Sequence, residues 1–202
     1  MIRISKENHT YYYDKENKPV SSASIGDKVI FETFDCFLDQ FKKDEDLAEF
    51  IDMSHINPNT GPLFIKGAEA GDILVIKIVD IKVEDHGVLT LIPGEGKLRH
   101  YVKSPVTKIV KMENGHAFFS EDIVIKNKPH IGTIGTTPFG RIPTGLIGIH
   151  GGNMDCPEAG AGAKIYFPIF VKGALLQMGD VHANMGEGEI HIGLECGAEV
   201  TI

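Results

Sequence analysis

The stretch "DILVIKIVDIKV", residues 72–83, decides how this chain is read. It follows Gly71, is dominated by Ile and Val, and contains neither glycine nor proline. β-branched residues suit a pleated, half-buried surface, so the run reads as β-structure. Working outward, the same character recurs in "KVIFETFDCF" (28–37), "FSEDIVI" (119–125), "KIYFPIFVKGALLQM" (164–178) and "GEIHIGLECGAEVTI" (188–202). Between these runs, 23 glycines and 10 prolines leave little room for long helices. Many short strands joined by Gly/Pro turns imply a mainly β fold, a β-sandwich or distorted barrel with few short helices. At 202 residues a single domain, 1–202, is expected.

One weak internal echo accompanies this pattern. "SIGDKVIFETFDCF" and "EAGDILVIKIVDIK" align at an offset of 45 residues, each a Gly-Asp turn followed by a strand. The pair reads either as two ordinary strands or as pseudo-repeated β-structure. The best helical candidate is "FLDQFKKDEDLAEFI", residues 37–51, which reads as a short helix or a charged surface loop.

A net charge of −8 argues against nucleic acid and anionic membranes as partners, since both reward clustered Lys and Arg. The three cysteines, Cys36, Cys156 and Cys196, are odd in number and lack CxxC spacing, which suits a reducing compartment. The N-terminus has no continuous apolar segment of the signal-peptide kind, and no run approaches the ~18 apolar residues of a membrane span. A cytoplasmic protein is expected. Cys36 and Cys156 each follow an Asp, which disfavours the thiolate, so neither is expected to be a nucleophile.

Three segments can carry chemistry. "GDVHANMGEGEIHIGLE" (179–195) gathers one Asp, two His and three Glu. Residues two apart in a strand share a face, so Asp180 and His182 point the same way. A turn at Gly186 and Gly188 would bring Glu187 and Glu189 back towards them, while Glu189, His191, Gly193 and Glu195 share one face. The segment is either a solvated hairpin or part of an active site. "HGGNMDC" (150–156) places the permissive pair Gly151-Gly152 beside His150, Asn153 and Asp155. It follows the irregular "IGTIGTTPFGRIPTG" (131–145). Asp35 shares a face with Val29, Phe31 and Thr33, and so either ends a core-facing row or caps the next turn.

Together these residues resemble the acetamidase/formamidase family. The matching strings are "FETFDCF", "NPNTGPLFIKGAEAGDILVIKIVDI", "IGTIGTTP", "GIHGGNMDC", "YFPIFVKGALLQMGD" and "HANMGEGE", in family order from about residue 25 onward. The resemblance implies hydrolysis of short-chain amides to carboxylate and ammonia on a sandwich-like β fold. Its motifs fall on Asp35, Glu69, Asp72, His150, Asn153, Asp155, Asp180, His182, Glu187 and Glu189. Two features depart from it. Met185 stands where the family commonly has Gln, and the chain ends at Ile202 where members usually continue.

Amide hydrolysis needs a polarised carbonyl and a protonated leaving group. A divalent metal, Zn²⁺ above others, is therefore expected on Asp35, His150, Asp180 and His182. Glu187 or Glu189 would move the proton. Asn153 and the Gly151-Gly152 backbone would hold the oxyanion, with Asp155 beside the substrate. A small amide is the expected partner. A homodimer or larger assembly, with or without a subunit supplying the remaining C-terminal part, is also expected. A non-catalytic binding module on the same fold is the alternative.

Overall fold

The computed structural model describes residues 1–202 and is almost entirely β. Its one helical element is a single 3₁₀ turn, Ala48–Phe50. No helix is long and apolar enough to cross a membrane.

The main sheet runs in the order Val124–Lys126, His116–Phe118, Val106–Glu113, His86–Leu91, Glu195–Cys196, Leu176–His182, His130–Gly135, Gly151–Asn153. Asn59–Ile65 also pairs with Leu176–His182, and His9–Thr10 and Ser21–Ala23 pair with Asn59–Ile65. A second sheet of four strands has the order Ile2–Ile4, Val29–Thr33, Ala198–Thr201, Asp80–Val83. Side chains between these layers form one core that includes Phe31, Leu63, Ile134, Leu176, Met178 and Val200. This is the sandwich-like arrangement that short, glycine-punctuated strands favour.

The run 72–83 is not one strand but two. Ile73–Lys77 pairs with Lys164–Pro168, whereas Asp80–Val83 joins the four-stranded sheet beside Ala198–Thr201. Between them, the Ile78 amide bonds to the Ala163 carbonyl and the Val79 amide to the Thr201 carbonyl, so the chain turns a corner without losing backbone partners. The period of two is nonetheless visible. Leu74 and Ile76 are buried while Ile73 and Val75 are exposed. The two copies of the echo differ in structure, since Val29–Thr33 is one strand of the four-stranded sheet whereas the second copy divides between Ile73–Lys77 in its own ribbon and Asp80–Val83 in that same four-stranded sheet.

Residues 37–51 take the loop alternative rather than the helical one. Leu38 and Asp39 both adopt left-handed backbone, with φ of 58° and 53°, which no α-helix continues through. The Asp35 carboxylate stabilises that bend by accepting hydrogen bonds from the Phe37 amide at 2.9 Å and the Asp39 amide at 2.7 Å. Phe37 and Phe41 then pack edge to face, 4.9 Å between centroids, in a small apolar cluster with Cys36, Ala48 and Val88.

Candidate functional site

The site is written across adjacent strands of the main sheet. His130, His182 and Glu195 lie directly opposite one another on three neighbouring strands. Directly paired residues present their side chains on one face, so the three form a row. The His182 Nδ1 lies 3.2 Å from the His130 Nε2, and its Nε2 lies 3.0 Å from the Glu195 Oε1. Asp180, two residues back along the central strand, reaches the same Nε2 at 3.4 Å. All four residues are buried.

The hydrogen bonds fix the protonation pattern. His130 Nδ1 lies 3.3 Å from the Lys128 carbonyl and so donates there, leaving Nε2 to accept from His182 Nδ1–H. Burial, reinforced by the neighbouring His182 charge, pushes His130 down to about 4. Burial works against charge on His182 too, but Glu195 and Asp180 outweigh it and push that ring up to about 12. The carboxylates divide. Burial, then repulsion from Asp180, pushes Glu195 up to about 8. Asp180 is held below its ordinary range, because the attraction of His182 and hydrogen bonds from His182 and Thr133 overcome its burial.

A second layer of polar side chains closes around Asp180. The Thr133 hydroxyl lies 3.2 Å from Asp180 Oδ2 and also contacts Asn153 Oδ1. The Asn153 side-chain amide donates to Asp155 Oδ2 at 2.7 Å, and Asn57 donates to Asn153 Oδ1 at 3.2 Å. Burial, then the charges of Asp180 and Glu189, pushes Asp155 up to about 8. Asp155 and Glu189 are half-buried and stand at the solvent side of the cluster. Ligand atoms of Asp155, His182 and Glu189 lie within 4.8 Å of one another, as do those of Cys36, Asp180 and Glu195.

Glycines make this convergence sterically possible. A Cβ on Gly132 would sit 2.9 Å from both Asp155 Oδ1 and Asp180 Oδ2, so the missing side chain leaves room for two carboxylates. A Cβ on Gly193 would sit 2.7 Å from the His182 ring. Gly193 also donates its amide to Glu189 Oε1 at 3.1 Å, which holds that carboxylate over the site.

The expected residues fall into two groups. Asp180, His182, Asp155, Asn153 and Glu189 come together. The others are placed elsewhere. Asp35 is buried, and its Oδ1 takes both amides that hold the 35–39 bend. His150 packs edge to face on Tyr13, 4.8 Å between centroids, and joins neither ligand cluster. Gly151 and Gly152 pair with Gly135 and Ile134, and a Cβ on either would strike backbone at 2.3 and 2.1 Å. Glu187 is exposed.

The stretch 179–195 does return on itself, though its second strand is Glu195–Cys196 and the residues between form an irregular loop. Glu195, His130, Thr133 and Cys36 were not singled out as site residues from the sequence. A histidine within the otherwise uncharged, fully buried strand His130–Gly135 was the available signal for His130.

Fold and site thus define a β protein with a buried histidine–carboxylate centre opening through two further carboxylates. The chain belongs to the Acetamidase/Formamidase family, whose model matches residues 5–147 and 145–202. It is similar to the crystal structure of an acetamidase from Bacillus halodurans, with 46% identity and a TM-score of 0.98 over 99% of this chain and 68% of that one. A predicted acetamidase/formamidase from Thermoanaerobacter tengcongensis gives 42% identity and a TM-score of 0.96, covering 99% of this chain and 67% of that one. Among curated proteins it is 24% identical to a formamidase of Methylophilus methylotrophus, over 73% of this chain and 50% of that protein. The chain spans about half the length of the curated relatives it matches.

Proposed function

We propose that the chain carries the hydrolytic centre of an amidase acting on short-chain aliphatic amides of the formamide and acetamide class. The observation that supports this most directly is the buried Asp180–His182–Glu195 group facing Asp155 and Glu189. It combines an ionised carboxylate, a cation and two proton-holding acids around one opening. Acids whose pKa values are forced apart by their surroundings are what paired proton transfer requires.

In this reading Glu189, anchored by the Gly193 amide, takes the proton of the attacking water. Asp155, held protonated near neutrality, gives its proton to the departing nitrogen, and ammonia leaves. The Asn153 side chain is already bonded to Asp155, so its role is to aim that acid. Asp180 and His182 hold charge behind the carbonyl.

The residues also fit a divalent cation. Asp155 Oδ1 and Glu195 Oε2 are buried without hydrogen-bond partners, and one His with several carboxylates is a borderline-hard donor set. Asp180 and His182 would hold such an ion, His182 giving up the Nε2 proton that it shares with Asp180. When bound, it would supply Lewis-acid polarisation of the amide carbonyl and a lower pKa for water.

A homodimer or larger assembly belongs to the same reading. It is supported by the exposed apolar side chains Ile73, Val75 and Tyr166 on one two-stranded ribbon, and sedimentation measures it. Ammonia release from formamide, acetamide and propionamide, alongside metal analysis of the purified protein, tests the activity. Metal-replete protein that releases no ammonia from any of the three overturns it.

A further inference from the structure

Glu189 rides on an irregular loop, 183–194, rather than on a strand. Its own backbone is left-handed, with φ of 38°, a conformation that a residue other than glycine rarely adopts unless its surroundings impose it. A second loop is laid against this one. The Lys97 amide donates to the Ile190 carbonyl at 2.8 Å, and the Ile92 amide donates to the His191 Nε2 at 3.2 Å. Ile92 directly follows the strand His86–Leu91, whose Val88 pairs with Glu195. His191 therefore ties the Glu189 loop to the sheet that carries Glu195. The imidazole is closely fitted there. A Cβ on Gly96 would strike the His191 Nδ1 and fall 3.0 Å from its Cγ, so bare glycine backbone, at φ of 68°, lets the turn 92–97 close on the ring. An accepting Nε2 places the ring proton on Nδ1, and Nδ1 is buried with no hydrogen-bond partner. A buried donor left unpaired is costly, and an apolar side chain would fill the same space without that cost. Packing alone is thus a poor account of a histidine at this position.

We propose that His191 is a positioning residue, which latches the Glu189 loop onto the 92–97 turn and so holds Glu189 over the site. This deepens the amide-hydrolase reading, and rests on Glu189 as the base only for its effect on turnover. Two anchors then fix the carboxylate. The Gly193 amide donates to its Oε1 at 3.1 Å, and the latch at His191 fixes the backbone that bears it. Without the latch the loop keeps its carboxylate but loses its aim at the attacking water. Such losses are steep, since a misplacement of 1 Å can cost about 100-fold. His191 joins neither ligand cluster, so its removal should fall on kcat rather than on KM.

The test uses the full chain. H191L keeps the bulk and loses the acceptor, so kcat for formamide should fall about 10-fold while KM stays within about 2-fold. H191Q, whose side-chain carbonyl can reach the Ile92 amide, should recover to within about 3-fold of wild type. G96A should behave as H191L, because its Cβ displaces the ring, and it carries the same comparison if H191L does not fold. G94A is the control, since its φ of 90° imposes comparable backbone strain on the same turn but its Cβ meets nothing within 4 Å. In an E189Q background H191L should have no further effect, because His191 acts through Glu189. Amide hydrogen exchange reads the latch without turnover. The Gly193 amide should exchange about 10-fold faster or more in H191L and G96A, whose Glu189 acceptor has moved, and at the wild-type rate in G94A. Unchanged Gly193 exchange in H191L and G96A, an H191Q no better than H191L, or an H191L loss that persists in E189Q overturns the proposal. Faster Gly193 exchange in a protein that releases no ammonia, or whose E189Q variant keeps the wild-type rate, leaves the latch standing and sinks the catalytic reading alone.

Discussion

Gly132 offers the sharpest way to disturb the site without touching a charged group. It lies opposite Asp180, between the register pairs Ile131–Val181 and Thr133–Gly179. Its φ is outside the left-handed region, so G132A tests space rather than backbone strain. The new Cβ would fall 2.6 Å from the Asp180 carbonyl and 2.9 Å from both Asp155 Oδ1 and Asp180 Oδ2, where ordinary contact begins at 3.4 Å. The carbonyl belongs to a paired strand, so a deficit of 0.8 Å must be met by parting the strands, and 0.5 Å by moving the carboxylates. Overpacking on this scale costs about 1–3 kcal/mol. For a domain of this size that lowers Tm by about 2–12 °C. Displacing reacting groups by 1 Å can cost about 100-fold, so a shift of half that predicts roughly a 10-fold loss in kcat/KM. Calorimetry and ammonia release measure the two effects. G140A is the control, since its Cβ meets nothing within 4 Å and it carries no positive φ. If G132A matched G140A in both assays, the close convergence of Asp155 and Asp180 would be refuted.

Three further outcomes follow from the geometry. E189Q should lower kcat by about 100-fold or more while keeping the fold, whereas E187Q on the exposed loop should stay within about 2-fold of wild type. D35A should cost about 1–3 kcal/mol in denaturant unfolding, because two amides lose their acceptor. Burial lowers the pKa of His150, so the folded protein favours its neutral form. Its contribution is present above the unfolded value of about 6.5 and is lost as pH falls through the lower folded value. Stability measured between pH 7 and pH 4 should therefore fall less steeply for H150F than for wild type, and parallel curves would contradict the assignment.

The β character was legible because glycine and proline punctuation and period-two burial are local properties. The corner at Ile78–Val79 was not, since nothing in an unbroken Ile/Val run marks where it changes sheets. Asp180 and His182 were legible from their spacing along one strand. Glu195 had been seen to share a face with Glu189, yet its meeting with His182 depends on pairing across an irregular loop whose length sets the register. Counting by two put Asp35 on a core-facing row. The left-handed residues just beyond it convert that carboxylate into a turn acceptor and send its neighbour Cys36 inward instead. The adjacent Asp argues against a reactive Cys36 thiolate, and burial, then the charges of Glu195 and Asp180, raises its pKa further.

The row His130–His182–Glu195 also has a consequence for how the protein is made. Its members, with Cys36, come from widely separated segments of the chain, and the strand Glu195–Cys196 supplies the closing partner. Contacts this distant in sequence form late, after their loop-closure entropy has been met. On a ribosome the nascent chain would therefore carry an unpaired edge at Val181–His182 until residue 196 has cleared the exit tunnel. During that interval the protein is most exposed to aggregation and most dependent on holding chaperones.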